Sequence, residues 1–467
     1  MHLEPSSSVD ADLHLVNRLT WGARPQDLER VRELGETGYV EWQLDHEAID
    51  DPLVDRFLAE HPVLLEDVRG LRRALDEDYG AVNQQVVWGR LFRAAYSERQ
   101  LFEKMVEFWT DHFNVPLPDR IPEKVVDDRE VARSHALGRF RDLLLASARS
   151  PGMLIYLDNT FSNRDHPNEN YAREVMELHT LGVDGGYTQQ DVVEVARCFT
   201  GWTLQQEWRG DFVFDRNRHD DGEKVVLGHR IAAGRGVEDG LQVLDILATH
   251  PSTARFVSKK LCRRFVSDEP PEEVVAAVTA TFLATDGDIR AMLRTLFASE
   301  GFRAARGTKF RRPMEAVVAM LRALTPGIAV NDAWAPTWTL ERMGHLPYNW
   351  FPPNGYPDVA DPWFNVNGLL QRWNAAMVLA YSSLGWTDGA ITLDLSAVVP
   401  EAPTIGGLTD ALWLRLVGRP VDPGTRSTLL TALGDLRPSQ RVTQEFRDER
   451  LPSLIGLILA SPAFQLT

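Results

Sequence analysis

The stretch Asn168–Trp202, NENYAREVMELHTLGVDGGYTQQDVVEVARCFTGW, predicts two helices joined by a glycine-containing turn. The first helix is expected over 168–181, because Asn168 is a suitable N-cap and Gly182 a suitable C-terminal stop. The second is expected over 188–202, and it opens with an acidic variant of the capping box. Since the link between them is short, the two helices should be antiparallel neighbours.

Most of the remaining chain carries the same period, with apolar residues three and four positions apart. Further helices are expected over 11–20, 26–35, 37–45, 83–115, 129–149, 238–249, 251–266, 271–285, 287–298, 312–324, 365–384, 406–417, 423–435 and 450–460. The fold is therefore predicted to be mainly α, built as a large multi-helix domain.

Two segments depart from the helical period. Within 212–227, Phe212 and Phe214 alternate with polar residues before a turn and a short apolar run, which predicts a small β-hairpin insertion. The segment 343–363, MGHLPYNWFPPNGYPDVADPW, is too rich in proline, glycine and aromatic residues for a helix. This aromatic loop is interpreted either as an ordered loop or as a short linker.

Length and composition are those of an ordinary globular protein, with 467 residues, 44% hydrophobic and 25% charged. We expect a flexible N-terminus over 1–10, followed by one helical unit over 11–467. The alternative is a subdivision into a main helical body over 11–325 and a second part over 326–467, which carries the aromatic loop and the C-terminal helices.

Charge and cysteine content exclude several classes of protein. The formal net charge is -17 and the basic residues are scattered, which disfavours a nucleic-acid partner. Cys198 and Cys262 are the two cysteines, too few for a disulfide scaffold or a cysteine-based zinc cluster. No apolar run reaches the length of a membrane span, and the N-terminus lacks the features of a secretory signal. The sequence predicts a cytoplasmic protein without a membrane span.

Three polar residues lie along one edge of the apolar stripe of the first helix, where they could point into a cleft. They are Asn170, Glu174 and Glu177, whereas His179 falls on the opposite edge and is not expected to join them. Two explanations remain open. The glutamates form a metal or acid/base site like those of carboxylate-rich helical bundles, or they form a buried network with Arg197 on the second helix.

A histidine stands in the apolar stripe of the stretch LFEKMVEFWTDHFNVP, within the helix expected over 83–115. His112 is costly there unless it is hydrogen-bonded, so it must have a specific partner. It is either a core histidine bonded to a carbonyl or carboxylate, or a ligand or general base with Glu174 or Glu177 as companion. Asn114 follows at the helix end and is expected to line the same region.

Other candidate residues lie outside the helices. His219 and Asp220 occupy the predicted hairpin turn, where they form either a weak metal signal or ordinary Asx-type turn bonds. Trp350 and Tyr356 in the aromatic loop either stack on a flat ligand or pack over helix ends. The chain contains no phosphate loop, dinucleotide fingerprint, nucleophile elbow or His-Glu-x-x-His motif.

Several of these segments taken together resemble the bacterial family DUF1800, domain of unknown function 1800. They are HLVNRLTWGARPQDLERV, FWTDHFNV, NENYAREVMELHTLGVDGGYTQQDVVEVARCFTGW, HDDGEKVVLG, HPSTARFVSKKL, GYPD and LLQRWN. The resemblance spans nearly the whole chain and implies one helical architecture without an established activity. The family pattern matches at His112, Asn114, Asn170, Arg173, Glu174, Glu177, Arg197, His219 and Asp220.

The resemblance also implies a setting. Many relatives begin with an export signal and look like proteins encoded beside a sulfatase-like family. A sulfatase-like partner and an envelope or extracellular role are therefore implied, and the chain departs from this pattern at its N-terminus, where no signal is evident.

Two functional hypotheses follow. The first is an enzyme, a hydrolase being the favoured class, with His112, Glu174 and Glu177 as catalytic residues that act with or without a divalent metal ion. Substrate-binding roles are then expected for Asn114, Asn170, Arg197, His219, Asp220, Trp350 and Tyr356. The second is a non-catalytic helical binding or assembly protein, in which the same residues form a satisfied structural network.

Overall fold

The computed structural model describes residues 10–118, 120–205, 210–324, 334–382, 391–393 and 398–467. Residues 1–9 of the expected flexible N-terminus and the last two residues of the helix expected over 365–384 lie outside these ranges. The α-helices are α1 (Ala11–Leu19), α2 (Pro25–Leu44), α3 (Pro52–Glu60), α4 (Val68–Tyr96), α5 (Gln100–His112), α6 (Ile121–Asp127), α7 (Phe140–Arg149), α8 (Pro151–Tyr156), α9 (Glu169–Glu177), α10 (Gln189–Cys198), α11 (Val237–Thr249), α12 (Pro251–Phe265), α13 (Glu272–Ala284), α14 (Ile289–Ala298), α15 (Glu300–Ala304), α16 (Pro313–Leu324), α17 (Trp334–Arg342), α18 (Val366–Tyr381), α19 (Ile405–Val417), α20 (Pro423–Ala432), α21 (Gln444–Glu449), α22 (Leu451–Ala460) and α23 (Pro462–Gln465). The prediction of a mainly α fold is confirmed.

Shorter helical turns and strands complete the fold. The 3-10 turns are His46–Ala48, Pro62–Leu65, Asn159–Phe161, Arg216–Arg218 and Asp361–Trp363, and a π-helical turn covers Asp128–Arg133. The strands are β1 (Trp202–Leu204), β2 (Phe212–Phe214), β3 (Lys224–Val226) and β4 (His229–Ile231).

Both segments expected to form the hairpin are strands, but each pairs with another neighbour. β2 pairs with β1, so that Phe214 lies opposite Trp202, and β3 pairs with β4. The turn between β3 and β4 consists of Leu227 and Gly228, which both have positive φ. Such a two-residue turn matches the twist of the flanking strands, and this explains why β3 folds onto β4.

The helix hairpin expected over 168–202 forms with the expected caps. The Asn168 side chain accepts a hydrogen bond from the backbone of Asn170, and Thr188 forms the capping box of α10. However, α9 ends at Glu177, and Gly182 lies in the turn that follows, at φ 82°. The residues after Glu177 therefore leave the helical path.

Two large apolar clusters form the core. The first joins buried residues between 15 and 305, and the second joins Trp21 and residues between 54 and 126 with residues between 314 and 464. In the second cluster α16 packs on both α4 and α18, and α18 packs on α22. Helices on the two sides of residue 325 thus share one core, and the proposed subdivision at that residue stays a prediction.

The aromatic loop is ordered and lies against the end of α5. Asn114 Nδ2 donates to the carbonyls of Trp350 at 2.7 Å and Pro352 at 2.8 Å, and the backbone N–H of Leu117 donates to the Tyr348 carbonyl at 2.8 Å. These bonds satisfy carbonyls that would otherwise lack partners in an irregular segment. The loop is thereby fixed at a helix terminus.

Across the described part of the chain, no helix has both the length and the apolar character that crossing a bilayer requires.

Candidate active site

A cavity of about 200 Å³ lies at the C-terminal end of α5. It is enclosed by α5, α12, the residue that precedes α16, and the aromatic loop. Its lining residues are Phe108, Asp111, Lys260, Arg263, Arg264, Arg312, Asn354, Gly355, Tyr356, Pro357 and Asp358. We call it the α5 cavity.

The predicted histidine adjoins this cavity through a lysine. His112 is 1% exposed, its Nε2 lies 3.0 Å from the His179 carbonyl, and Lys260 Nζ lies 2.9 Å from its Nδ1. A carbonyl only accepts, so Nε2 carries the proton and Nδ1 accepts from the lysine. Burial, with the nearby Lys260 and His179, holds the pKa of His112 well below its usual range. His112 is thus a neutral histidine with both nitrogens engaged.

Asp111 lies in the last turn of α5 and lines the cavity. Its Oδ2 accepts from Arg312 Nη1 at 3.0 Å, and Arg312 also binds Glu107 at 2.6 Å. Burial and the Glu107 charge outweigh the effect of Arg312 and raise the pKa of Asp111 to about 6. Among the described residues, none donates a hydrogen bond to the other carboxylate oxygen. That oxygen is available to a ligand.

Lys260 lines the same cavity from α12. Burial, reinforced by Arg263, lowers the pKa of Lys260 to about 8, although Asp111 and Asp358 act in the opposite direction. At neutral pH the ammonium is therefore the major form, and it gives up its proton more readily than an ordinary lysine.

The remaining charges of the cavity favour an anion. Four cationic and two acidic side chains line it. Arg264 Nη1 lies 3.4 Å from Asp358 Oδ1, and Arg312 Nε lies 3.7 Å from the same oxygen. Burial would raise the pKa of Asp358, but Lys309, Arg264 and Arg312 outweigh burial and lower it, so Asp358 is ionised. Even with both acids charged, the lining carries an excess of positive charge, which attracts an anionic ligand.

A glycine allows the loop to close the cavity. Gly355 has φ 70°, and a Cβ at this position would overlap the backbone carbonyl of Asp111. Only glycine combines this backbone conformation with so close an approach. The next residues, Tyr356 and Asp358, are thereby placed in the cavity wall.

The two predicted glutamates lie at a separate, half-buried position. Within the described ranges, neither Glu174 nor Glu177 forms a hydrogen bond or ion pair with His112. Glu177 Oε2 accepts from the Tyr187 hydroxyl at 3.3 Å. Burial and the neighbouring Glu177 raise the pKa of Glu174. The structure therefore does not assemble the predicted contact between the histidine and the glutamates.

His179 is placed differently from the helical extrapolation. Because α9 ends at Glu177, His179 lies in the following turn, 1% exposed, with its ring 5.0 Å from that of Phe113. Burial and Lys260 lower the pKa of His179 to about 3. Asn170, in the first turn of α9, is exposed.

Arg197 and Asp220 form part of another network, near the small sheets. Arg197 Nε donates to Asp220 Oδ2 at 2.8 Å and Arg197 Nη1 to Glu194 at 2.7 Å. The expected pairing of Arg197 with Glu174 or Glu177 is not seen. The guanidinium is instead bound by Glu194 of its own helix and by Asp220.

His219 is fully buried in the same region. Its Nδ1 lies 2.8 Å from the Thr200 carbonyl, and its Nε2 lies 3.2 Å from Asp239 Oδ2. Lys224 Nζ reaches the same carboxylate oxygen at 2.7 Å. Hydrogen bonds from His219 and Lys224 overcome the effect of burial and lower the pKa of Asp239. This network joins the sheets to α11.

Asn114 and Trp350 help to hold the aromatic loop, whereas Tyr356 lines the cavity. The Asn114 side chain donates to the loop carbonyls described above, and Trp350 Nε1 donates to Asn354 Oδ1 at 3.0 Å. Tyr356 lines the α5 cavity, and its hydroxyl donates to the Leu346 carbonyl at 2.8 Å.

Metal-ligand chemistry is sparse in the part of the chain that the structure describes. There, no group of three or more His, Cys, Asp and Glu residues is arranged to hold a metal ion. A metal bound by His112 would have to displace either Lys260 or the His179 backbone hydrogen bond. Cys198 and Cys262 are both free thiols and buried.

Several cavity residues were missed by the sequence analysis. Asp111, Lys260 and Asp358 were present in the segments FWTDHFNV, HPSTARFVSKKL and GYPD, which carry the family resemblance. The signal that could have found two of them is their position in these motifs, since Asp111 precedes His112 and Asp358 follows Tyr356 by two residues. Arg264 and Arg312 left no comparable signal.

The fold and the cavity define a helical protein with two acids, a lysine and three arginines around one small site. The chain belongs to the DUF1800 family, since the family model described as "Protein of unknown function (DUF1800)" matches residues 14–466. No curated protein matches the chain. No solved structure matches it either.

Proposed function

We propose that this chain is an enzyme, with hydrolase as the favoured class, that acts on a small anionic substrate in the α5 cavity. The observation that carries the proposal is the presence of Asp111 and Lys260 in one arginine-lined cavity. Their pKa values of about 6 and about 8 lie on either side of neutrality. General acid–base catalysis is most effective when the pKa of the catalytic group is close to the working pH.

The proposed proton transfers follow from the major ionic forms at pH 7. The Asp111 carboxylate takes a proton from water, and the water oxygen forms a bond to the electrophilic atom of the substrate. The bond to the leaving group breaks, and that group takes a proton from the Lys260 ammonium. Transfer of the proton from Asp111 to the neutral Lys260 amine then restores both groups.

The supporting residues have distinct roles. His112 is a positioning residue, because its Nδ1 accepts a hydrogen bond from Lys260 and so orients the amine. Arg263, Arg264 and Arg312 supply the positive charge that holds the anionic substrate, although Arg264 and Arg312 are partly neutralised by acids. Positioned charges of this kind stabilise charge that develops in a transition state.

Glu174 and Glu177 remain a proposed second site. The support is their half-buried position and the raised pKa of Glu174. A divalent ion there is tested by metal analysis of the purified chain beside the Glu177→Gln variant. Metal that is bound by the wild type and lost in the variant supports this site, and absence of metal from both removes it.

The test of the main proposal measures turnover of three anionic chromogenic esters, namely 4-nitrophenyl phosphate, 4-nitrophenyl sulfate and the 4-nitrophenyl hemiester of succinate. For the ester that is hydrolysed, Lys260→Met and Asp111→Asn should each reduce kcat by about 10²–10⁴-fold, the usual contribution of an acid or base. The matched control is Lys259→Met, which removes the exposed neighbouring lysine and should leave kcat unchanged. We expect a bell-shaped pH profile with limbs near 6 and 8.

Two outcomes contradict the proposal. Turnover that survives Lys260→Met excludes the cavity as the reaction site. Binding of the esters without hydrolysis of any of them favours a ligand-binding role for the same cavity.

A second candidate function is assembly with another protein, and an exposed apolar face favours it. Val366, Leu370 and Trp373 lie on one face of α18 and are 85%, 48% and 50% exposed. We propose the sulfatase-like protein implied by the family resemblance as the partner. Co-purification of the two chains tests this role. It should be lost in Trp373→Asp and retained in Lys259→Met. Cell fractionation tests the predicted cytoplasmic location separately.

A further inference from the structure

A second cavity, of about 220 Å³, lies on another side of α5. It is enclosed by α3, α4, α5, α6 and the π-helical turn. Its lining residues are Asp51, Val54, Asp55, Leu58, Leu64, Leu65, Val86, Arg93, Arg99, Phe102, Glu103, Lys124, Val125, Asp128, Arg129, Arg133 and Tyr348. We call it the Arg93 pocket.

One part of this pocket is apolar. Val54, Leu64, Val86 and Phe102 are buried side chains that line it, and Leu58 is partly buried. Such a wall stabilises an apolar group by removing it from water. The pocket therefore has space and contacts for a short hydrocarbon chain.

The acids of the opposite part already have partners. Glu103 accepts from Arg90 at 3.1 Å and from Arg133 at 2.8 Å. Asp128 accepts from Arg133 Nε at 2.7 Å and from the Tyr348 hydroxyl at 2.9 Å. Both carboxylates are therefore hydrogen-bonded to other groups, and they act on the Arg93 cation only through their charge, without a hydrogen bond.

Arg93 is the exception. It lines the pocket and is partly buried, and no described residue accepts a hydrogen bond from its guanidinium or forms an ion pair with it. Other cations of the lining do have partners, as Lys124 binds Asp127 at 3.2 Å and Arg99 binds the Ile49 carbonyl at 2.9 Å. A partly buried cation without a partner is costly, and an anion that enters the pocket removes this cost.

We propose that the Arg93 pocket binds a small monocarboxylate with a short apolar tail. The planar guanidinium of Arg93 matches the two oxygens of a carboxylate, and the tail lies against Val86 and Phe102. A phosphate or other dianion fits less well, because the five cationic and four acidic side chains of the lining leave a net charge of +1, which a single negative charge balances. The site is separate from the α5 cavity and does not depend on the function proposed for it.

The pocket has an opening to solvent through which such a ligand can enter. Asp55 is exposed and Leu65 is 54% exposed, and both belong to the lining. Leu58 lies one helical turn after Asp55 on the same helix, so a larger side chain at this position should fill the apolar part of the pocket.

The test titrates hexanoate into the full chain by calorimetry and follows the Tm, which rises when a ligand binds the folded state. We expect saturable binding of hexanoate and no comparable binding of 1-hexanol or inorganic phosphate. Arg93→Met should weaken hexanoate binding at least about 10-fold, as expected for loss of a charge-assisted pair. Arg99→Met, which removes a cation that already has a partner, is the matched control and should change the affinity less than about threefold.

Two further variants keep the interpretation specific. Leu58→Trp should abolish hexanoate binding while the unliganded Tm shows that the chain is folded. Lys260→Met, in the α5 cavity, should leave hexanoate affinity unchanged. The proposal is overturned if hexanoate does not bind, if Arg93→Met binds it as well as wild type does, if binding is lost in Lys260→Met, or if phosphate or 1-hexanol binds as tightly.

Discussion

Lys260 should titrate near pH 8, well below the ordinary lysine pKa of 10.5. We treat the protein with a limiting amount of an amine-reactive acetylating reagent from pH 6 to 10 and measure the acetylated fraction of Lys260 by mass spectrometry. This fraction should have its midpoint near pH 8. In Asp111→Asn the midpoint should fall, because the negative charge of Asp111 raises the pKa of Lys260. Lys259 is exposed in the same peptide and serves as the internal control. A midpoint near the ordinary value of 10.5 contradicts the burial of Lys260 in a cationic site.

Gly355 should not tolerate a side chain. Gly355→Ala combines positive φ with overlap of the Asp111 carbonyl, and we expect the free energy of unfolding to fall by about 3 kcal/mol or more. Gly344→Ala is the matched control, because Gly344 also has positive φ, 72°, but no atom lies within 4 Å of the added Cβ. It should lose only about 1 kcal/mol. If Gly355→Ala and Gly344→Ala lose the same free energy of unfolding in urea denaturation, the loop is not in close contact with the Asp111 carbonyl of α5.

Sequence patterns predicted that a buried polar residue needs a hydrogen-bond partner, but they did not predict which residue that partner is. The apolar stripe around His112 correctly indicates a buried histidine with a specific hydrogen bond. Its second partner, Lys260, is 148 residues away in the chain, and helical periodicity carries no information over that distance. His179 was misplaced because the helical angle was extended beyond Glu177, where α9 ends.

At the scale of elements, strongly periodic helices were predicted well and the breaks between them less well. α10 begins as expected at its capping box, and the break expected near residue 36 is a kink at Gly35 inside α2. The helix expected over 83–115 is instead α4 followed by α5. Ser97 ends α4, because its hydroxyl binds Asp51 and accepts from the backbone of Arg99, and the acid involved is distant in sequence.

Other missed elements have similar causes. The segment 129–149 was predicted as one helix, but a π-helical turn ends at Arg133 and α7 begins only at Phe140. α3 was not predicted, since it offers only a short apolar stripe, with Val54 and Phe57 buried. The partners of β2 and β3 depend on turn geometry, and alternation alone does not specify which strands pair.

The aromatic loop should depend on Asn114 for its attachment to α5. In Asn114→Ala the carbonyls of Trp350 and Pro352 lose their donor, which should reduce the free energy of unfolding by about 1–3 kcal/mol. Hydrogen exchange should accelerate in peptides that cover 343–363 and stay unchanged in α9 and α10.

Asn170→Ala provides the comparison for that variant. Asn170 is exposed, so its truncation should change the free energy of unfolding by no more than about 0.5 kcal/mol. If Asn114→Ala behaves like Asn170→Ala in both stability and exchange, the side-chain hydrogen bonds do not hold the loop.

At the scale of the whole molecule, Asp111 should make stability depend on pH between about 4 and 6. Because its folded pKa of about 6 is above the ordinary 3.8, the folded state holds a proton that the unfolded state releases. This contribution is complete below pH 3.8 and is lost as pH rises through 6. Asp111→Asn removes it, so the stability of the variant relative to wild type should increase by about 2–3 kcal/mol from pH 4 to pH 7.

Urea denaturation of the two proteins across this range measures the difference. The comparison is between the two curves, which cancels the other titrating groups that they share. A constant difference from pH 4 to pH 7 would show that the carboxyl group of Asp111 titrates alike in the folded and unfolded chains.

The second apolar core has a consequence for how the chain is made. Its members are Trp21 and residues of 54–126 and 314–464, so α3 and α4 have no complete partner surface until α16 and α18 have left the ribosome. At roughly 5–20 residues per second, synthesis keeps those early apolar faces uncovered for many seconds. The first core, which ends at residue 305, can assemble earlier. Biogenesis should therefore proceed in two stages, and the early helices are the segments that a chaperone would have to shield.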